Sequence, residues 1–418
     1  MIEYSTVIIG GGAAGLMCAA HLQSNSGKVL VIEKMEKPSR KVRITGKGRC
    51  NLTNVCSNEE FLKKVRNGSD FFSNSLKNFS TEECTKYFQS IGTPLTIERG
   101  GRVFPSSMRA GDIADSLERA AHKAGAEIIC NSKVVEITKS ETNFIITYLQ
   151  ADKEIFISTK TVVITTGGVS YPSTGSTGDG YRFAYNLGHN IEPLRPALVA
   201  LKIKCDHLTS LDRLVLKNVR LRLLINNSEA GNEFGELEFF TYGIGGAIAI
   251  RLSRQAVDAV IDKKDVKLLL DLKPALSKEK LLGRIERELI EEPNMSLLSL
   301  LRKLMPYEMT KVVIDTLPYP SNHKISNLSP VQRGEIIDKI KNIEFKVVSY
   351  EGFDKAIITA GGVDLSQIES LTMESKLVDG LYFAGEIVDI DADTGGYNLQ
   401  IAFSTAVTAA LDINNKPR

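Results

Sequence analysis

Gly10, Gly12 and Gly15 stand in the order G-x-G-x-x-G, and a carboxylate, Glu33, follows the last of them by 18 residues. These residue types grip a ligand rather than break bonds. The first glycine makes a tight turn, the second lets a pyrophosphate approach the backbone, and the third lets a helix pack closely on a strand. The elements that must hold them are readable on either side. Val7, Ile8 and Ile9 form a short apolar run that suits a strand buried on both faces. A small-residue helix over 13–23 opens at Ala13 and Ala14, turning its free N–H groups and positive dipole end toward the phosphates. Residues 29–32 form the second strand, which delivers Glu33 to where a carboxylate can hold ribose hydroxyls. A bare glycine turn would explain the three glycines but not the acid. The unit binds a dinucleotide.

The far end of the chain says which one. Residues 380–384 read as a buried strand ending at Gly385 and Glu386, and after a polar loop Gly395, Gly396, Tyr397, Asn398 and Leu399 open a second small-residue helix. A nicotinamide dinucleotide gives no reason for that second glycine-rich helix start. FAD does, because its ribityl and flavin half needs a site of its own. Helix N–H groups near 396–399 could face the flavin N1/C2=O edge and favour the anionic reduced ring. Glu386 or a neighbouring backbone group could bind the ribityl chain or pyrophosphate.

Composition bounds the rest. A chain of 418 residues suggests two or three domains, and 43% hydrophobic with 24% charged residues describes an ordinary globular protein. Net charge is +2 with no long basic run, so the footprint of a nucleic-acid binder is missing. No stretch approaches the roughly 20 apolar residues of a membrane span, and residues 7–20 lack the basic flank of a signal peptide. Six scattered cysteines fit reduced thiols in a cytoplasm. The patterns predict an α/β fold: a Rossmann-like FAD-binding domain built from both chain ends, with an inserted β-barrel-like domain carrying a helical subdomain. The expected bounds are 1–192 and 351–418 for the FAD-binding domain, 193–272 and 326–350 for the β-rich insert, and 273–325 for the helical part. Residues 34–54 read as a polar, basic stretch, and strands are expected at 154–158 and 161–166.

Several blocks spread over nearly the whole chain carry a resemblance: VIIGGGAAGL, KVRITGKGRCNLTN, GRVFP, TTGGVSYPSTGSTGDGY, ITAGGVDL and FAGEIVDIDADTGGYNLQ. The chain resembles the bacterial NAD(P)/FAD-dependent oxidoreductase family that includes aminoacetone oxidases and bile-acid reductases. The resemblance implies FAD contacts at Gly10, Gly12, Ala14, Gly15, Glu33 and Lys34. It also implies them at Lys41, Gly48, Arg49, Cys50, Asn51, Val135, Thr166, Gly167, Gly168, Gly385, Glu386 and the five residues from Gly395 to Leu399. One departure stands out. Relatives carry a Thr-(His or Glu)-Tyr-Gly-(Leu or Ile)-Ser-Gly-Pro-like stretch in the insert, whereas Thr241 is followed directly by Tyr242 here. An acid–base role tied to that polar position has no counterpart, and no catalytic residue is assigned.

Other patterns match known sites less well. Cys50 and Cys56 are one residue further apart than the C-x4-C redox pair of disulfide-reductase flavoenzymes, and no histidine follows His323 to serve as their acid–base. Asp389, Asp391 and Asp393 mimic the start of an EF-hand, but Thr394 and Gln400 occupy the positions that need Gly and Glu. Gly243 and Gly245 could begin a second nucleotide site, yet Ile248 stands at the third glycine. The histidines show no metal-ligand spacing, and no G-x-S-x-G elbow occurs. Tyr171, Arg102 and Tyr242 are candidates for the substrate side, expected where the insert meets the flavin.

The expected function is FAD-dependent hydride transfer through flavin N5, with NAD(P)H as a transient donor and a small substrate bearing an activated C=C bond. Alternatives are an oxygen-dependent oxidase of a small amine, a tRNA-associated FAD protein, which the near-neutral charge disfavours, and a flavin sensor without turnover.

Overall fold

In the computed structural model, which describes residues 2–23 and 27–416, the chain divides into two compact units: Met1–Arg195 with Ile357–Arg418, and Pro196–Ala356. The first unit is built on a seven-stranded sheet. Strand Ile2–Ile9 lies parallel between Val29–Ile32 and the long strand Lys153–Ile164, and Glu127–Ile129 extends the sheet beyond Val29–Ile32. Val7, Ile8, Val31, Val162 and Val163 are completely buried, as central parallel strands covered on both faces require. The other side of Lys153–Ile164 carries the antiparallel strands Phe144–Gln150 and Ser132–Lys139, while its last residues also pair in parallel with Leu381–Phe383. The expected strands at 154–158 and 161–166 are therefore one strand. Its first half closes the antiparallel meander and its second half enters the parallel core, so the sequence texture changes midway although the backbone does not. Helices Ala13–His21 and Tyr397–Asn415, from opposite chain ends, pack on one another.

Residues 34–54 hold more order than their polarity indicates. A helix, Arg40–Gly48, breaks at Thr45, after which Gly46, Lys47 and Gly48 all take positive φ. Helix Ser69–Asn78, with no strong pattern in the sequence, buries only Phe72, Ser75 and Leu76.

The second unit is a closed barrel of six strands in the order Leu201–Lys204, Gly243–Gly245, Ser228–Phe240, Val215–Ile225, Val266–Asp271 and Ile343–Tyr350. Alternate residues point inward, Leu221 and Leu223 on one strand and Leu268 and Leu270 on its neighbour, with period two. Gly243–Gly245 runs straight into helix Gly246–Ile261, which leaves that glycine pair a structural junction. Helices Lys278–Glu291, Leu297–Leu304, Tyr307–Ile314 and Pro330–Lys341 join the same core through Leu281, Leu300, Leu301, Met309 and Ile337. Among the described residues no helix is long and apolar enough to cross a membrane.

Candidate cofactor site

The site begins where strand Ile2–Ile9 stops. Gly10 has φ +101°, and a Cβ there would lie 2.8 Å from the Thr165 carbonyl oxygen. Gly15 is tighter still, since its Cβ would meet the Gly10 oxygen at 1.9 Å. Gly12 is different: an added Cβ there meets nothing within 4 Å. Two of the glycines thus serve close packing, and the middle one faces open space. Gly12 also caps helix Ala13–His21 with no side-chain hydrogen bond and no acid in the first turn. The leading N–H groups of that helix are left for a ligand. By contrast Ser57, Ser80, Ser277, Ser296 and Ser329 each cap their helices through the hydroxyl.

Glu33 is buried beside this turn. The Gly11 and Met35 N–H groups each donate to its carboxylate at 2.8 Å. Burial pushes its pKa up, and those two N–H groups oppose the shift. Ribose hydroxyls would supply further donors. Glu33→Gln is expected to weaken FAD binding about 10- to 100-fold, the ~1.5–3 kcal/mol of a hydrogen bond to a charged group, and to destabilise the flavin-free protein modestly, because the amide NH2 cannot accept from one of the two N–H groups. Titration of apoprotein with FAD, followed by flavin fluorescence, checks this. The raised pKa sets the sign with pH. Affinity in the parent protein should fall on acidification at a higher pH than an exposed carboxylate would dictate, and the variant should lack that fall.

Lys34 and Val135 lie near this end but engage one helix, Asp179–Asn186. The Lys34 ammonium pairs with Asp179 at 2.6 Å and with the Thr177 hydroxyl, and Arg182 donates to the Val135 carbonyl at 3.0 Å. Burial raises the Asp179 pKa, but Lys34 outweighs it and holds the carboxyl below its usual value. Val135 itself sits at a bulge in the antiparallel meander.

Further along, residues from both chain ends meet. Gly385 has φ +81°, and a Cβ on it would lie 2.8 Å from the Ala14 Cβ. Beside it the Glu386 carboxylate joins three segments. Lys41 Nζ donates to one oxygen at 2.7 Å, while Ser170 Oγ (2.7 Å) and the Thr359 N–H (2.8 Å) donate to the other. Burial works against the charge, yet Lys41 leads the groups that hold the Glu386 pKa below the ordinary carboxylate value. Thr359 Oγ1 in turn accepts from the Val169 and Ser170 N–H groups, and Gly168 has no room for a side chain beside it. Gly167, at φ +71°, lies against Ser176, and the Thr166 hydroxyl occupies the space a Gly180 side chain would need. With three donors already on it, Glu386 braces the cradle around residues 166–170. Ser170 and Thr359 carry no chemical signature in the sequence and emerge only from this convergence.

At the other end, helix Tyr397–Asn415 starts at Gly396, again with no side-chain cap and no acid in its first turn. Gly396 has φ +96°, and its Cβ would lie 2.5 Å from the Thr53 oxygen. Asn54 donates to the Gly395 carbonyl at 3.2 Å. Those contacts set residues 53 and 54, which follow the 48–51 segment, against this helix start. Gly48 opens onto free space, and among the described residues Asn51 Oδ1 is buried with no hydrogen-bond partner, so it could accept from a ligand N–H or O–H. Three neighbouring side chains make contacts within the protein. The Tyr397 ring packs on Phe61 at 5.0 Å, Asn398 braces the 391–393 turn by bonding Ala392 and Asp393, and Leu399 packs against the hydrophobic core. Arg66 holds Asp393 with two hydrogen bonds of 2.6 and 2.8 Å, and among the described residues no group of three or more His, Cys, Asp or Glu is arranged to hold a metal. Burial pushes the Cys50 thiol to about 12 and the Cys56 thiol to about 11, which suppresses the thiolate a redox pair needs. Arg49 and Arg102 both turn to Glu98, Tyr171 takes a left-handed φ of +51°, and Tyr242 stacks on Phe240 within the barrel unit.

The family described as HI0933-like protein Rossmann domain matches residues 4–412, and the chain belongs to that family. It is 30% identical over 414 residues to a 3-dehydro-bile acid delta(4,6)-reductase of Clostridium scindens, covering 98% of this chain and 99% of that one. It is 29% identical over 422 residues to a ribosomal RNA dihydrouridine synthase of Haemophilus influenzae, covering 100% of both, and 28% identical to its Escherichia coli namesake over 99% of this chain and 98% of that one. Among solved structures, 3-ketosteroid delta1-dehydrogenase from Sterolibacterium denitrificans shares the fold at a TM-score of 0.54, with 12% identity over 99% of this chain and 100% of that one. FAD is the cofactor, and the protein is an FAD-dependent oxidoreductase. The residues present fit the group: open space at Gly12 and Gly48, two uncapped helix starts, and an unpartnered buried acceptor at Asn51.

Proposed function

We propose that the protein uses NAD(P)H to saturate a C=C bond conjugated to a carbonyl in a small organic substrate. One observation carries this reading. Full-length relatives bear the names of a bile-acid delta(4,6)-reductase and a dihydrouridine synthase, two activities that share saturation of a C=C bond polarised by a carbonyl. FAD supplies hydride transfer at N5. The chain's own residues bind and orient. Gly12 and the N-terminus of helix Ala13–His21 receive the pyrophosphate, Glu33 the ribose, and the Gly396 helix start offers N–H groups and positive potential to the flavin edge that gains charge on reduction.

Anaerobic mixing of the FAD-loaded protein with NADH and, separately, NADPH is expected to bleach the flavin. Adding an enone should then restore its colour faster than adding oxygen. If neither nucleotide bleaches the flavin, the proposal is wrong; rapid reoxidation by oxygen after reduction by a small amine would favour the oxidase instead.

The two synthase relatives favour a second reading, in which the reduced bond is C5=C6 of a uridine in RNA. A net charge of +2 does not exclude an RNA substrate. Incubating unmodified ribosomal RNA with the protein and NADPH tests it: a gain of two hydrogens on a uridine, read by mass spectrometry, selects this substrate over the small molecule.

A further inference from the structure

Two arginines share one carboxylate beside the flavin end of the site. Arg49 donates to Glu98 Oε1 at 2.9 Å and Arg102 to Glu98 Oε2 at 3.2 Å. Both guanidiniums also lie over the buried Phe104 ring, with Cζ 4.5 and 5.7 Å from its centroid. The cluster is rigid because it rests on a small sheet. Glu98 pairs with Arg102 across strands Leu95–Glu98 and Arg102–Pro105, and Arg102 pairs in turn with Asn54. Cross-strand partners and residues two apart share a sheet face, so Asn54, Glu98, Arg102 and Phe104 point the same way. The Asn54 amide on this face donates to the Gly100 carbonyl in the hairpin turn at 3.0 Å and to the Gly395 carbonyl at the flavin-half helix start at 3.2 Å. The two cations therefore stand on the sheet face that borders that helix start.

The cluster is also unfinished electrostatically. Two guanidiniums against one carboxylate leave a net positive charge. Arg49 and Arg102 remain 42% and 43% exposed while Glu98 is 27% exposed. Each guanidinium has five N–H donors. Among the described residues Arg49 uses one, to Glu98, and Arg102 uses two, to Glu98 and the Arg99 carbonyl. A planar fork already oriented by an aromatic face and a carboxylate loses little entropy on taking a second oxyanion.

We propose that the Arg49–Glu98–Arg102 cluster is a recognition site for an anionic oxo-acid group, carboxylate or phosphate, on the substrate reduced at the flavin. The inference rests on the substrate reading above for the identity of its ligand but not for its measurement. Oxidised FAD-loaded protein, with no electron donor present, is titrated calorimetrically with cinnamate, phenyl phosphate and the neutral isostere cinnamamide. At least one anion is expected to bind about tenfold more tightly than cinnamamide, and whichever does identifies the group. Arg102→Gln should erase that preference at unchanged flavin content. Glu98→Gln should sharpen it several-fold, because removing the internal competitor frees both forks; a merely structural trio would show the opposite. Equal binding of anions and amide, or a Glu98→Gln protein whose anion preference falls, would overturn the site. Because no turnover is involved, failure here is distinct from failure of nucleotides to bleach the flavin.

Discussion

A Gly15→Ala protein is expected to emerge colourless and destabilised, whereas Gly12→Ala should emerge colourless but as stable as the flavin-free parent. The two residues belong to one motif, yet the structure gives them opposite physics. A Cβ at Gly15 would sit 1.9 Å from the Gly10 oxygen and 2.7 Å from Thr165 Oγ1, and the first of these is backbone that cannot rotate away. Helix and strand must part, at a cost of about 1–3 kcal/mol or more, typical of overpacking. At Gly12 the φ of −79° suits alanine, and nothing stands within 4 Å of the new methyl. In the proposed site the methyl would take the space of the phosphate and cover the helix N–H groups, so FAD affinity should fall about 10- to 100-fold, the ~1.5–3 kcal/mol of a charged hydrogen bond. Thermal unfolding of both apoproteins, with FAD titration of each, gives the comparison. Equal loss of stability in the two variants would contradict the assignment of separate roles.

Lys41→Met carries the second large effect. Among the described residues Lys41 is the one cation on Glu386, and both side chains are about three-quarters buried. Removing it leaves the carboxylate with the Ser170 hydroxyl and the Thr359 N–H alone. The loss should be about 2 kcal/mol, below the ~3–5 kcal/mol of a fully buried pair because water still reaches both groups. The pH dependence discriminates a lost charge pair from a lost hydrocarbon contact. Glu386 has its pKa depressed in the folded protein, so its stabilisation is present above the unfolded carboxylate value of about 4.3 and is lost as pH falls through the lower folded value. Wild type should therefore lose stability on acidification below roughly pH 4, and the difference from Lys41→Met should shrink over that range. A difference independent of pH would show that Lys41 acts by packing alone. Flavin retention is expected to weaken in parallel, since the same contact ties residues 41, 170 and 359 around the cradle.

The parts of the site that were legible from the chain are those whose geometry is local. Gly10, Gly12, Gly15 and Glu33 lie within one strand–helix–strand unit, where spacing alone dictates position. Gly396 announces its helix start in the same way. The barrel strands were legible because period-two alternation, as in Leu221 and Leu223, survives any arrangement of the rest. The sequence did not show that the Lys34 ammonium pairs with Asp179 or that the Tyr397 ring packs on Phe61. A residue's type and its place in a motif do not say which way its side chain leaves the backbone once competing partners are present.

By itself the amino-acid sequence determined the family, the cofactor and the two glycine-led helix starts, because turns, caps and periodicities are encoded within a few residues. Only the tertiary structure decided which polar groups meet across long stretches of chain: Lys41 with Glu386, 345 residues away, and Arg49 with Glu98, 49 residues away. The physical reason is that a hydrogen bond needs its atoms within about 3 Å. For residues so far apart, that distance is set by the packing of the whole unit around the sheet.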